Sequence, residues 1–431
     1  MSKINIDRIV SDIRTRTTYI TPLVEAVCNS MDAIGSKPDG KIDIIIKRAE
    51  ILPEMGANAL GDIIGIDVVD NGIGFTDENR ESFDTFRSDM KVKQGGKGFG
   101  RFMYLKYFYS VSIESLYDDN GTLRFRNFTF GRGNDIIENE KVGLADRAAK
   151  TGTTVHLACV KSGAIQDKGL EVIARKLLER ILVFFVDPKH PAPIIRIAEE
   201  DNSDAIILND YIGHDKDIVF IGSSPIEIVD NKSGEALDFS VQMYKIYYSQ
   251  AVSRVSLTAN KREVTDTAIH TYVPEFQETL FEIDENGRQR NYSVKAYVLG
   301  AFLDENVTVE RDGFMINKDE GDIFSSVSEK AIEREAASVV KAKFFEEMSR
   351  RFEEKRQRVE NYVTNKAPWN RTLMSDIDLE SMAMGISEQE IEMRFQKAKF
   401  DREQQIWLEI QDIEALQEEE ADEGFDKQVS E

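Results

Sequence analysis

Three side chains able to do chemistry recur at helical spacing near the start of the chain: Glu25, Asn29 and Asp32. Steps of four and three put a carboxylate, an amide and a second carboxylate in one row on a helix surface. Such a row offers proton acceptors and oxygen donors side by side. It also suits a plain solvated face, and the helix alone does not decide between the two. Further polar candidates lie in glycine-rich turns: Asp70-Asn71-Gly72-Ile73-Gly74, then Gly95-Gly96-Lys97-Gly98-Phe99-Gly100-Arg101. A third turn, Thr151-Gly152-Thr153-Thr154, leads into Val155-His156-Leu157. A lone Gly-x-Gly is more often a tight turn than a ligand site. Four elements in this order, the helix and three turns, carry far more information.

The elements that must position these residues follow from hydrophobic periodicity. Leu23, Val27, Ser30 or Met31, and Ile34 make an apolar stripe, predicting an amphipathic helix over 23–34. Pro22 sits in its first turn, where a missing N–H costs nothing. The turn formers of 35–40 end it. Segments 41–47 and 62–69 read as paired strands, the second running into the Asp70 turn. Residues 76–89 read as a short polar helix with Phe83 and Phe86 embedded, followed by a lysine-bearing segment, 91–96, expected to act as a mobile lid. Strands are expected over 109–116, 123–130 and 153–159, and a helix over 169–186.

These motifs resemble those of the GHKL ATPase superfamily: gyrase-type topoisomerases, the ninety-kilodalton heat-shock chaperone, histidine kinases, MutL and MORC proteins. Glu25 and Asn29 match its N box. Asp70, Gly72 and Gly74 match its first glycine box, residues 95–100 its second, and Gly152 with Thr154 its last. The resemblance spans residues 15–160 and thins beyond them. It implies a Bergerat-type ATP-binding α/β sandwich, with helices on one face of a mixed sheet. It further implies ATP and Mg²⁺ as ligands. Asn29 would ligate the metal, in keeping with the oxygen preference of Mg²⁺. Asp70 would accept the adenine amino group, with Thr154 supporting that edge. Gly72 and Gly74 would let the backbone pass the base. Gly96, Lys97, Gly98, Phe99, Gly100 and Arg101 would surround the phosphates at a helix start. Glu25 would be the general base for hydrolysis, and Asp32 would support the site. A glutamate at position 25 favours hydrolysis over histidine-kinase chemistry.

The 431-residue chain has 41% hydrophobic residues, enough for two domains and appendages. A formal net charge of -23 argues against general nucleic-acid affinity, though not against a local basic groove. Cys28 and Cys159 lie in apolar patterns and read as buried thiols in a reducing, cytoplasmic compartment. The four histidines show no metal-ligand spacing. The opening Lys3-Ile4-Asn5-Ile6 reads as lacking a secretory leader, and the apolar runs are too short to span a membrane.

Three prolines in 187–193 mark the expected domain boundary. The expected division is an ATP-binding domain over 1–187 and an α+β, ribosomal-S5-like domain over 188–322. A helical, coiled-coil region over 323–417 and a disordered acidic tail over 418–431 would follow. In the second domain, strands are expected at 206–208, 218–221, 239–248, 254–258, 295–303 and 314–316, with a hairpin turn at Asp284-Glu285-Asn286-Gly287. The segment 255–266 resembles the part of the S5-like domain that sends a basic residue to the γ-phosphate, making Lys261 or Arg262 the candidate. A hairpin tip in solvent accounts for both equally well. Residues 332–363 keep an apolar stripe for one helix of about 50 Å. Ser387-Glu388-Gln389-Glu390 is a capping box opening another. Together these two helices fit an αα-hairpin or a dimerising coiled coil.

The resemblance implies slow ATP hydrolysis driving lid closure and an ATP-dependent homodimer clamp. It is strongest to stand-alone bacterial members related to the MORC and heat-shock branches, some of which are encoded in antiviral-defence loci. A DNA-processing subunit like MutL or a topoisomerase, a protein kinase and a non-hydrolysing nucleotide sensor are the alternatives. A protein partner or DNA-processing effector subunit and no membrane are the expected associations.

Overall fold

The structure is a computed structural model; it describes residues 6–12, 18–50, 60–84, 100–185, 192–248, 251–308, 313–319 and 327–429. The chain divides into two compact units, Met1–Thr267 with Glu282–Ala336, and Ala268–Phe281 with Ala337–Glu431.

The first unit opens with helices α1 (Ile6–Asp12) and α2 (Ile20–Ile34), strands β1 (Lys41–Arg48) and β2 (Ile63–Asp70), and helices α3 (Asp77–Asp84) and α4 (Phe102–Tyr107). Strands β3 (Phe108–Asp119), β4 (Thr122–Phe130), β5 (Ile137–Leu144) and β6 (Gly152–Val160) follow, then helix α5 (Leu170–Ile181) and strands β7 (Ile194–Glu199) and β8 (Ala205–Ile207). These eight strands make one mixed sheet in the order β5-β4-β3-β6-β2-β1-β7-β8. Alternation sends Ile42, Ile44, Ile46, Ile66 and Val68 to one face, where α2, α4 and α5 bury them in a shared core. The other face is polar. On it Lys47 pairs with Asp67 at 2.7 Å, and Asp67 with His156 at 2.9 Å.

The sheet does not stop at the expected boundary. β7 runs parallel to β1, with Lys41 opposite Ile194 and Ile46 opposite Glu199. The first sheet therefore takes in residues 194–199, beyond the break expected at residue 187, and that boundary is corrected. β5 also lacked a sequence signal, because this edge strand is mostly exposed and shows no alternation. Cys28 is buried as expected, but Cys159 is exposed, at φ 56° near the end of β6.

A second sheet uses β9 (Ile218–Val229), β10 (Ala236–Ile246), β11 (Arg254–Ala259) and β12 (Arg262–Glu263). After β13 (Thr267–Ala268) and β14 (Leu280–Ile283), β15 (Gln289–Leu299) joins it between β11 and β10, giving β12-β11-β15-β10-β9. Helix α6 (Ala301–Asn306) packs on β10 and β11. The second sheet is fastened to the end of α5. Tyr244 donates its hydroxyl to the Leu182 carbonyl at 3.2 Å, and Tyr297 donates to that of Glu179, satisfying carbonyls a helix end leaves open.

Helix α7 (Glu329–Lys343) and helix α8 (Phe345–Asn365) replace the single long helix expected, because the backbone leaves helical geometry at Phe344 (φ -106°, ψ 30°). In the second unit, Val359, Val363, Leu373, Met382, Ile391 and Phe395 form a small core. Helix α9 (Glu388–Val429) starts at the capping box, Ser387 N–H donating to Glu390 at 2.9 Å. It runs on through the acidic stretch expected to be disordered. None of the described helices is long and apolar enough to cross a membrane.

Candidate functional site

Helix α2 carries the polar row expected of it. Its apolar side, with Leu23, Val27 and Met31, is buried against the first sheet, which turns Asn29 and Asp32 outward and leaves Glu25 half-buried. The Asn29 amide nitrogen donates to the Tyr104 hydroxyl at 3.3 Å, fixing which end of the amide is left outward. Burial, with Glu25 nearby, raises the Tyr104 phenol well above its usual range, so it stays neutral. Gly100 lies directly on Glu25: any Cβ there would run into the carboxylate. Burial likewise pushes the Cys28 thiol up, which keeps it protonated beneath the row.

The second sheet contributes a cation to this row. β11 and β12 form a hairpin in which Ala259 pairs with Arg262. Asn260 and Lys261 make its two-residue loop at φ 51° and 61°, the backbone a type I′ turn requires. The turn sends the Lys261 ammonium to 5.7 Å from the Phe184 ring centre. Arg262 points the other way, its Nε 3.8 Å from Glu25 and its Nη2 3.9 Å from Asp32. Burial alone would ease its deprotonation, but the carboxylates of Glu25 and Asp32 outweigh that and hold the guanidinium charged. Next to it, the Glu263 side chain is buried between Arg180 of α5 and Lys295 of β15. α5 packs on α2, so the hairpin is braced from the helix that borders the row it reaches.

A second polar group lies where β2 ends. Asp70, Thr153 and Ser115 sit opposite one another on β2, β6 and β3, all on the buried face. Asp70 accepts from the Ser30 hydroxyl at 3.0 Å and the Gly72 N–H at 2.8 Å. Burial raises its carboxyl above the ordinary range despite those donors. Ser115 lies 3.1 Å from the Thr153 hydroxyl and accepts the Phe75 N–H at 2.8 Å, which closes the glycine turn over the row.

The expectation that Thr154 stands beside Asp70 is corrected. Thr154 is opposite Val69, and side chains alternate along a strand, so it lies on the opposite face. Thr153 holds the place. The two glycines of the first turn also answer to protein neighbours. A Cβ on Gly72 would fall 2.8 Å from the backbone of Ala33, and Gly74 holds φ 80° against Leu116. Arg101 is turned inward rather than toward the row. It donates to the Ser82 carbonyl at 3.1 Å and lies 5.0 Å from the Phe83 ring centre. Burial brings its guanidinium down to about 10. Gly96, Lys97, Gly98 and Phe99 lie outside the described residues, as does the rest of the expected lid, 91–95.

Sequence reading missed Ser30, Tyr104, Ser115 and Thr153. The signal for Thr153 was available, since a strand register pairing it with Asp70 also pairs Val155 with Val68.

No family model matches the chain, and no curated protein does. Among solved structures it is similar to the crystal structure of the N-terminal domain of a DNA repair protein. The two share 13% identity at a TM-score of 0.42, over 80% of this chain and 98% of that one. A likeness of that strength bears on neither ligand nor reaction.

Proposed function

We propose that this protein is a GHKL-type ATPase that binds ATP with Mg²⁺ along α2 and hydrolyses it slowly. What supports this reading most is the position of Arg262. It stands within 4 Å of the Glu25 carboxylate, on the row that also carries Asn29. A proton acceptor, an amide oxygen and a cation brought together from two sheets suit a reaction that develops negative charge on phosphate oxygens.

The donor set fits the ligands. Among the described residues no three His, Cys, Asp or Glu side chains gather as a metal site. Mg²⁺ needs no such cluster, since it commonly takes one or two protein ligands with phosphate oxygens and water. With its nitrogen held by Tyr104, Asn29 has its oxygen left for that role. Mg²⁺ would supply charge neutralisation at the phosphates. Asp70 is buried and held rigidly by Ser30 and Gly72, which suits reading a base edge. Glu25 would take the proton of the attacking water as the bond to ADP breaks. Arg262 would turn from the carboxylates to the γ-phosphate. In the proposal, ATP also closes the lid and clamps two protomers, in the service of a chaperone-like, DNA-processing or defence task.

Arg262 on Glu25 also favours a second reading, a nucleotide sensor whose base is kept ion-paired and does not turn over. Steady-state ATPase measurement on wild type and Glu25→Ala, with and without duplex DNA, separates the two. The ATPase reading expects turnover in wild type that is lost in the variant while ATP binding by calorimetry persists. Equal rates in the two proteins would defeat it.

A further inference from the structure

Helix α9 buries apolar side chains in the core of its unit only near its start. Ile391 and Phe395 are fully buried in the small core of the second unit. Three turns on, the same side of the helix continues as Ile406, Ile410 and Ile413. These are 48%, 47% and 54% exposed. A neighbouring row at seven-residue steps, Met393, Phe400 and Trp407, is 61%, 57% and 65% exposed. A folded monomer rarely leaves so continuous an apolar surface to water.

Charge along the helix selects what covers it. Residues 393–402 contain Arg394, Lys397, Lys399 and Arg402 against the single acid Asp401. From Glu403 to Asp426 there is no lysine or arginine, and acids recur from Glu409 through Asp412, Glu414 and Glu418 onward. A parallel copy would set acid on acid. An anionic lipid surface would be repelled by the same stretch. An antiparallel copy crossing near Ile406 and Trp407 sets the basic half of each helix against the acidic half of the other, and isoleucine against isoleucine between them.

We propose that α9 pairs antiparallel with α9 of a second copy of this chain, whatever nucleotide is bound. This rests on α9 alone and stands or falls apart from the ATPase reading. The test is light-scattering mass of the full chain, with and without ATP. The expected mass is a dimer of the 49.0 kDa chain in both conditions. Replacing Ile406, Ile410 and Ile413 by aspartate is expected to give monomer in the absence of nucleotide, with circular dichroism showing the rest folded. Lys397→Glu, Lys399→Glu and Arg402→Glu together should weaken the dimer at least about tenfold, as should Glu409→Lys, Glu414→Lys and Glu418→Lys. Both sets in one chain should restore it, because only an antiparallel pair regains complementary halves. A monomer at every concentration, a dimer untouched by the isoleucine changes, a combined swap that fails to restore pairing, or a monomer that binds anionic vesicles would each overturn the proposal.

Discussion

Removing Arg262 is the sharpest perturbation of the proposed mechanism. At 3.8 Å from Glu25, opposite charges in a protein setting interact by about 4 kcal/mol. The Asp32 contact at 3.9 Å adds little, because that side chain is 61% exposed and solvent screens it. If the guanidinium moves to the phosphate as charge develops there, it carries an interaction of similar size into the transition state. Losing one preorganised donor of that kind costs ~10²–10³ in kcat, or about 3–4 kcal/mol. Arg262→Ala is therefore expected to lower kcat by that factor and change ATP affinity little. Arg262→Lys should fall between, since it keeps the charge and loses the planar fork. Steady-state turnover with nucleotide titration by calorimetry reads both quantities. A kcat within about threefold of wild type, under ~0.7 kcal/mol, would refute the reasoning. A rise in kcat would do so more directly, because it would mean that Arg262 restrains Glu25.

Glu25→Gln should keep ATP binding and lose ~10²–10⁴ in turnover; retained turnover removes Glu25 as the base. Asp70→Asn should abolish nucleotide binding by calorimetry, and an unchanged affinity counts against the adenine role. His156 is held above its ordinary range chiefly by its hydrogen bond to Asp67, so its contribution to stability is complete below pH ~6.5 and fades as pH rises through the folded value. The melting-temperature gap between wild type and His156→Gln should accordingly be widest below pH ~6.5 and narrow as pH rises above it, and a gap that widens would reverse the assignment. In the second unit, Lys355 is fully buried and donates to Glu275 at 2.6 Å. Glu275→Ala should cost ~3–5 kcal/mol in denaturant unfolding, with much of it recovered in Glu275→Leu/Lys355→Met.

Local signals in the sequence were enough for helix α2, because an apolar stripe and a polar row on the same residues leave one orientation. They were enough for β1 and β2 as neighbours and for the capping box of α9. They failed wherever a distant partner decides. Nothing near Ile194 announces that it lies beside Lys41, so three prolines read as a domain break. The stripe of 332–363 continues across Phe344 even though the backbone does not. Thr153 and Thr154 are the same residue type one position apart, and only the register with β2 separates buried from outer face. Arg262 and Lys261 were equal candidates until the positive φ of the hairpin loop assigned them opposite directions.

The late arrival of β7 has a consequence for synthesis. The backbone of β1 is the edge of an unfinished sheet until residues 194–199 have been made and laid against it. A chain cut at the prolines would leave the β1 backbone with a row of unpaired N–H and C=O groups, open to pairing with any other extended chain. Such a fragment is expected to precipitate, while one reaching past Ile207 gains both missing strands and stays in solution.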